Sequence, residues 1–350
     1  MRIAVYGASG YQAKLVLTEL SRRSIDVVLV GRDAERLRQA ATTVDLTASP
    51  RRIAGIDDHA ALVAGFAGCD AVINCAGPFT NSGHAVVRAA IDAGCHYVDT
   101  AGEQLYLKTI FDTFADEAER AGVTVVPATN DGCLPGDLIA HLIAERVPSI
   151  DEITISHVIV GGGGPSRGSL RSALHTVDAL STGGLTYDHG EWHTGLPARH
   201  SSVVLPGTSE PTEMAKLPLA EVVTIPRHVP VGHVESLVEA TLSARLGTPL
   251  SPEIIDTLPE GPAEDARLTQ RFTYVIDATT ANGRALRGLV QGTDTYGTTA
   301  VIAVEAARRL IADGAKPGVL APAQAFDPAG FLDFLTDYGL RWSINSTDQP

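Results

Sequence analysis

The sequence predicts an α/β chain: an N-terminal doubly wound parallel sheet, then an inserted α+β domain with antiparallel sheet. Three observations lead there. Residues 2–13 read R-I-A-V-Y-G-A-S-G-Y-Q-A, an apolar strand, a glycine turn and the start of an amphipathic helix. Further apolar runs at 26–30, 52–56, 70–75, 96–99 and 123–126 alternate with helical stretches, the pattern of parallel strands joined by crossover helices. Two strand-like runs, 271–279 and 284–290, then flank Asn282-Gly283, a strong hairpin signal.

In the opening unit Gly7 permits a tight turn, Gly10 lets a phosphate approach the backbone, and the small Ala13 lets helix sit on strand. The free N–H groups and positive end of the helix favour a pyrophosphate, which makes Gly7, Ser9, Gly10, Tyr11 and Gln12 cofactor-binding candidates. The spacing is G-x-x-G-x-x-A rather than G-x-G-x-x-G, and a turn that only packs is the alternative. The unit is of Rossmann type. The run 27–30 ends in Gly31-Arg32, where an NAD site would place an acid for the ribose 2′-hydroxyl. Arg32 suits a 2′-phosphate instead and predicts NADP(H); a solvated arginine at the start of helix 34–42 is the plainer reading.

The third run ends at Asp57-Asp58, where Asp57 meets an adenine amino group or the pair caps the helix from His59. The fourth turns sharply at Ala76-Gly77-Pro78-Phe79, and ligands of open parallel sheets bind outside such carboxyl ends, so Cys75, Ala76, Gly77, Pro78 and Phe79 are assigned to the cofactor. Helix 83–93 and strand 96–99 lead to Glu103, either a site carboxylate or a cap for helix 105–121. Beyond 123–126 the alternation stops: 127–137 reads as loop, 138–147 as helix, and 153–160 as a strand entering four glycines, 161–164. Ser166 or Ser169 then caps a helix whose Arg167 and Arg171 form a candidate anion seat; a capped surface helix with solvated arginines is the alternative. Residues 187–262 are rich in Gly, Pro and His, and His189, His193, His200 and His228 lack helical pairing, so no metal is expected. A helix at 295–313, apolar along Val301, Val304, Ala307 and Ile311, and another at 328–338 are expected to return and cover the first sheet. The expected division is 1–135 for the dinucleotide, 136–292 for substrate and dimerisation, and 293–350 for the returning helices.

The 350 residues suffice for two domains, and 44% hydrophobic with 19% charged residues describes a globular chain. Forty-one acidic against 27 basic residues, a net charge of −14, argues against nucleic-acid and anionic-membrane partners and favours a small-molecule substrate. The chain opens on a strand without a leader-like segment, which predicts a cytoplasmic location. Cys69, Cys75, Cys95 and Cys133 show no metal-type spacing and are expected as free thiols.

G-A-S-G-Y at 7–11, V-G-R-D at 30–33, V-I-N-C-A-G-P-F at 72–79, H-Y-V-D-T-A-G-E at 96–103 and the stretch 318–335 together resemble the saccharopine-dehydrogenase-like reductases, a group that includes trans-acting enoyl reductases. The resemblance implies an NADP-dependent reductase with an inserted substrate domain, often a homodimer. Where that family resembles C-G-F-D-S-x-P-S-D, this chain reads T-N-D-G-C-L-P-G-D at 129–137, so the roles of the family's Cys and Asp do not carry over to Thr129 and Gly132. The same loop is similar to the N-P-G-C-Y-P nucleophile loop of semialdehyde dehydrogenases, which would make Cys133 a nucleophile; the reductase reading leaves Cys133 lining the substrate site. Hydride transfer to a conjugated C=C needs carbonyl polarisation and a proton for carbon, for which Arg171 is the candidate. An iminium C=N needs nearby negative charge, for which Glu103 or Asp137 is the candidate. Ser166 and Arg167 complete the expected substrate contacts. A non-catalytic NADP redox sensor is the non-enzyme alternative.

Overall fold

The structure, a computed structural model, describes residues 1–246 and 250–346. Six strands, β1 (Arg2–Tyr6), β2 (Asp26–Gly31), β3 (Arg51–Ile53), β4 (Ala71–Asn74), β5 (His96–Asp99) and β6 (Thr124–Val126), form one parallel sheet in the order β6-β5-β4-β1-β2-β3. That is a doubly wound arrangement, and its crevice lies where the strand order reverses, between β1 and β4. β1 and β4 are buried because helices cover both faces, which is why their sequences are apolar without alternation. Helices α1 (Tyr11–Arg22), α2 (Ala34–Thr43), α3 (His59–Phe66), α4 (Phe79–Asp92), α5 (Gln104–Ala121) and α6 (Leu134–Ala144) follow the six strands in turn. A short seventh strand, Gly318–Val319, extends the sheet beside β6, a feature two residues long that leaves no periodic signal.

Among the boundaries that differ from the sequence expectation, three bear on the site. The edge strand β3 stops at Ile53, and the chain enters a turn at Ile56-Asp57. α4 starts at Phe79, a turn earlier than expected, because a distant carboxylate, Glu103, accepts the N–H groups of Phe79 and Thr80. α6 starts at Leu134 rather than residue 138, since Pro135 lies in its first turn, where a missing N–H costs nothing.

The second sheet is mixed rather than purely antiparallel. Its central strand β7 (Ile150–Val160) pairs in parallel with Val231–Glu239 and antiparallel with Arg271–Thr279. The hairpin from Arg271–Thr279 to Ala285–Thr293 turns at Asn282-Gly283 with Gly283 at φ +81°. Arg341–Ser346 adds a further strand outside that hairpin, so the end of the described chain returns to this sheet.

Helix Thr295–Arg309 packs against α1, β4 and β5 and is buried from Thr299 through Ala307. Its Glu305 carboxylate, 2% exposed, accepts from Arg23 at 2.7 Å, Arg308 at 2.8 Å and Arg309 at 2.9 Å, tying the helix to α1. Burial opposes ionisation there, but the arginines prevail and hold the carboxyl below its ordinary range.

Candidate functional site

The turn from β1 to α1 is built on close approach. Gly7 has φ +72°, and a Cβ there would stand 2.8 Å from the Ala76 Cβ, so the β1 and β4 loops meet at a spacing only glycine permits. Gly10 N–H donates to Gly7 O at 2.8 Å and caps α1, leaving the next N–H groups of α1 free of intrahelical partners. This is a cradle for a phosphate, and it fits the dinucleotide expected there.

The floor of the crevice is braced by buried carboxylates. Asp99, at the end of β5, accepts from the hydroxyls of Tyr106 at 2.6 Å and Tyr97 at 2.9 Å, and from the N–H groups of Ala101 at 3.1 Å and Ala128 at 2.8 Å. Asn74 joins by donating to the Tyr97 hydroxyl at 3.0 Å and accepting from Ala76 N–H at 2.9 Å. The loops after β4, β5 and β6 are thus held by one network; burial raises the Asp99 carboxyl, with its donors pulling the other way. Glu103 does not cap its own helix. Its carboxylate takes Phe79 N–H at 2.9 Å, Thr80 N–H at 2.7 Å, the Thr80 hydroxyl and the Ser172 hydroxyl at 2.7 Å, so it caps α4 and anchors the helix above.

That helix, α7 (Arg167–His175), is capped by Ser166, whose side chain accepts from Ser169 N–H. The Tyr296 hydroxyl accepts from Ser166 N–H at 2.7 Å and meets the Ser169 hydroxyl at 3.1 Å, while Gln12 donates to Tyr296 O at 3.0 Å. Tyr11 sets its ring edge-on to Tyr296 and donates its hydroxyl to Pro262 O at 2.7 Å. Gly7, Gly10, Tyr11, Gln12, Ala76 to Phe79, Glu103, Ser166 and Arg167 therefore surround one crevice. Arg171 does not join them: it is spent on an ion pair with Asp256, and Arg167 pairs with Glu260 at 3.6 Å. The expected open anion seat is a charge-paired roof, because the Gly/Pro-rich segment supplies two acids at its rim.

The loop after β6 holds a carboxylate that spacing did not single out. Asp131, partly exposed, accepts from the Tyr274 hydroxyl at 2.6 Å and the Thr299 hydroxyl at 2.8 Å. Burial pushes its carboxyl above the ordinary range, with both hydroxyls acting in the opposite sense. Thr299 lies one turn beyond Tyr296 on the same helix face, which places Asp131 next to the crevice. Asp137 is buried instead, held by His228 at 2.8 Å and Ala323 N–H at 2.9 Å, where it joins α6 to two distant segments. Cys133 is also buried, 3.8 Å from the Thr224 hydroxyl, and burial together with Glu221 and Asp137 pushes its thiol well up. A thiolate nucleophile is disfavoured in those surroundings.

Residues 3–126 match the family model described as saccharopine dehydrogenase NADP binding domain. The matched stretch runs from β1 to the end of β6 and is similar to that domain. The chain is 28% identical over 187 residues to a Mycobacterium tuberculosis protein of the trans-acting enoyl reductase group, covering 51% of this chain and 45% of that protein. It is 29% identical over 148 residues to the trans-acting enoyl reductase of Mycobacterium bovis, covering 41% of this chain and 35% of that protein. The aligned stretches thus span less than half the length of these relatives. The fold is similar to that of apo saccharopine dehydrogenase (L-Glu forming) from Saccharomyces cerevisiae, with a TM-score of 0.63, 15% identity and 99% of each chain covered.

The NADP binding domain presents Arg32, exposed, at the carboxyl end of β2. Burial raises the Tyr6 phenol; the Arg32 charge lowers it and the Asp57 charge raises it, so these two exposed residues share the neighbourhood of β1's end. Asp58, not Asp57, caps α3. No helix among the described residues is long and apolar enough to cross a membrane. Away from the crevice, Glu152, His200 and Glu235 bring ligand-type atoms within 4.8 Å of one another. Arg199 already donates to Glu152 at 2.9 Å, and the N–H groups of Arg199 and His200 serve Glu235 at 2.8 and 3.1 Å, so protein donors satisfy these carboxylates.

Proposed function

We propose that this protein is an NADPH-dependent reductase of a conjugated C=C bond in a small metabolite, with Asp131 as proton carrier. The reading rests on the NADP binding domain and, for the bond type, on one placement: the Asp131 carboxyl is held beside the crevice by the Tyr274 and Thr299 hydroxyls, in surroundings that shift it upward. Bound NADPH supplies the hydride. The acceptor then needs a proton at carbon, and a neutral carboxyl can deliver it where a carboxylate cannot. Tyr274 and Thr299 fix the direction of both Asp131 oxygens. Glu103, with its oxygens taken by four donors, positions α4 and α7 instead of meeting substrate. The names of the curated relatives, trans-acting enoyl reductases, point the same way. A C=N acceptor is the second reading, favoured by the saccharopine dehydrogenase fold.

The test is NADPH oxidation against a panel of α,β-unsaturated thioesters and cyclic imines, with products identified by mass. Saturation of the C=C supports the proposal. Turnover of imines alone would move the reaction to C=N, and tight NADPH binding without turnover of either class would favour a sensor.

A further inference from the structure

Three cations from three separate elements converge on one carboxylate at the rim of the dinucleotide crevice. Lys14, in the first turns of α1, reaches Glu260 at 2.5 Å; Arg167, opening α7, reaches it at 3.6 Å; Arg36, in the first turn of α2, at 3.9 Å. Glu260 sits on a short strap that is laid across the phosphate loop. Arg167 N–H donates to Glu260 O at 3.0 Å, Tyr11 donates to Pro262 O, and a Cβ on Gly261 would lie 2.7 Å from the Tyr11 ring.

The cluster's position follows from the fold. α2 begins where β2 ends, the place at which a dinucleotide fold meets the ribose 2′ position, and Arg32 and Arg36 flank that point. The N-terminus of α1 suits a pyrophosphate, and Lys14 lies in the same helix's first turns, its ammonium on Glu260. Neighbouring positive charge overcomes the burial that opposes ionisation of Glu260 and holds its carboxyl below the ordinary range. The site therefore prefers an anion. The carboxylate is 38% exposed and the three cations are 26 to 50% exposed, so water and ions can exchange with it.

We propose that Lys14, Arg36 and Arg167 form a seat for the 2′-phosphate of NADP(H), and that Glu260 is its built-in occupant, an internal anion that the cofactor's phosphate displaces. The proposal rests on NADP(H) binding in the crevice but not on any assignment of the reaction. It makes Glu260 a residue that weakens NADPH binding, the opposite of what a plain stabilising ion pair would do. A phosphate monoester carries about two charges near neutral pH against one for a carboxylate, so exchange favours the phosphate. NADH lacks that group and gains nothing from it.

The experiment is equilibrium binding by the intact protein, read by cofactor fluorescence and calorimetry, with NADPH, NADH, 2′,5′-ADP and 5′-AMP as probes. Glu260→Gln is expected to tighten NADPH and 2′,5′-ADP by about tenfold and to leave NADH and 5′-AMP within about twofold. Arg36→Ala and Lys14→Met are expected to weaken the two 2′-phosphorylated probes selectively. Equal gains for NADPH and NADH in Glu260→Gln would assign the cluster to the pyrophosphate and overturn the proposal, as would unchanged or weaker NADPH binding. Glu260→Ala serves as a second removal of the charge, with thermal unfolding confirming that both variants are folded. If the unmodified protein binds no NADPH, the cofactor assignment itself fails and takes the proposal with it; NADPH binding that Glu260→Gln does not improve defeats the proposal alone.

Discussion

The floor and the roof of the crevice are held by different physics. Below, Asp99 and Glu103 are buried and receive their hydrogen bonds chiefly from hydroxyls and backbone N–H groups, so each carboxylate is matched atom by atom. Above, Arg171 meets Asp256 and Lys14 meets Glu260 through exposed or half-exposed charge pairs. A buried network is costly to break because every lost partner leaves a desolvated group unpaired, whereas exposed pairs contribute about 0 to 1 kcal/mol. The difference teaches where rigidity and exchange reside: the floor fixes the loop geometry and, through Glu103 and Tyr296, anchors α7, while the exposed charge pairs at the roof's rim are the contacts that exchange most readily with solvent and ions.

The most drastic way to break this comparison is to remove the support beneath the floor. Shortening the chain after Val290 deletes helix Thr295–Arg309, exposes the face of α1, β4 and β5 that it covers, and should leave no soluble folded protein. A stable fragment that binds NADPH would show that the floor stands without it. Next in size, Asp99→Ala should cost about 3 to 5 kcal/mol in urea unfolding, because four donors lose a buried acceptor. Asp256→Asn, at the roof, should cost less than about 1 kcal/mol. Equal losses would erase the distinction.

Smaller effects sharpen it. Arg32→Ala should weaken NADPH by about tenfold or more while sparing NADH, since a charge-assisted contact to a 2′-phosphate is worth roughly 1.5 to 3 kcal/mol. Equal affinities of the unmodified protein for both cofactors would remove Arg32 from the site. Smallest is Cys133→Ser: a buried thiol with a raised pKa lines the loop without reacting, so turnover should stay within about threefold. A loss beyond roughly a thousandfold would be that of a covalent nucleophile.

How much of this was legible in the sequence depends on the range of the interactions. The glycine turn after β1, the placement of Arg32 after β2 and the order of the six strands up to residue 126 are local patterns, legible because period and glycine placement are decided by neighbours in the chain, although the third strand is shorter than its apolar run. Residues 134–137 read as loop, whereas they form the first turn of α6, where proline is at home. Arg171 read as an anion seat because its partner, Asp256, comes from a segment whose strands and helices lack clear periodicity. Asp131 went unnoticed just ahead of two more conspicuous residues, Cys133 and Asp137. Its chemistry is set by Tyr274 and Thr299, which arrive from the second sheet and the returning helix, and no spacing rule connects positions so far apart. Asp99, read only as the end of a strand, is the centre of the floor for the same reason.

The central claim is that Asp131 delivers the proton, and the most direct measurement is the pH dependence of the reduction rate with NADPH already bound. Burial raises the Asp131 carboxyl, so its protonated, active form persists above the ordinary aspartate value of 3.8. The rate should be flat at low pH and fall as pH rises through that raised ionisation. Asp131→Asn should bind NADPH as the unmodified protein does, lose about 10²- to 10⁴-fold in rate, and show no such fall. A variant that keeps its rate within a few-fold and retains the same pH profile would contradict the account.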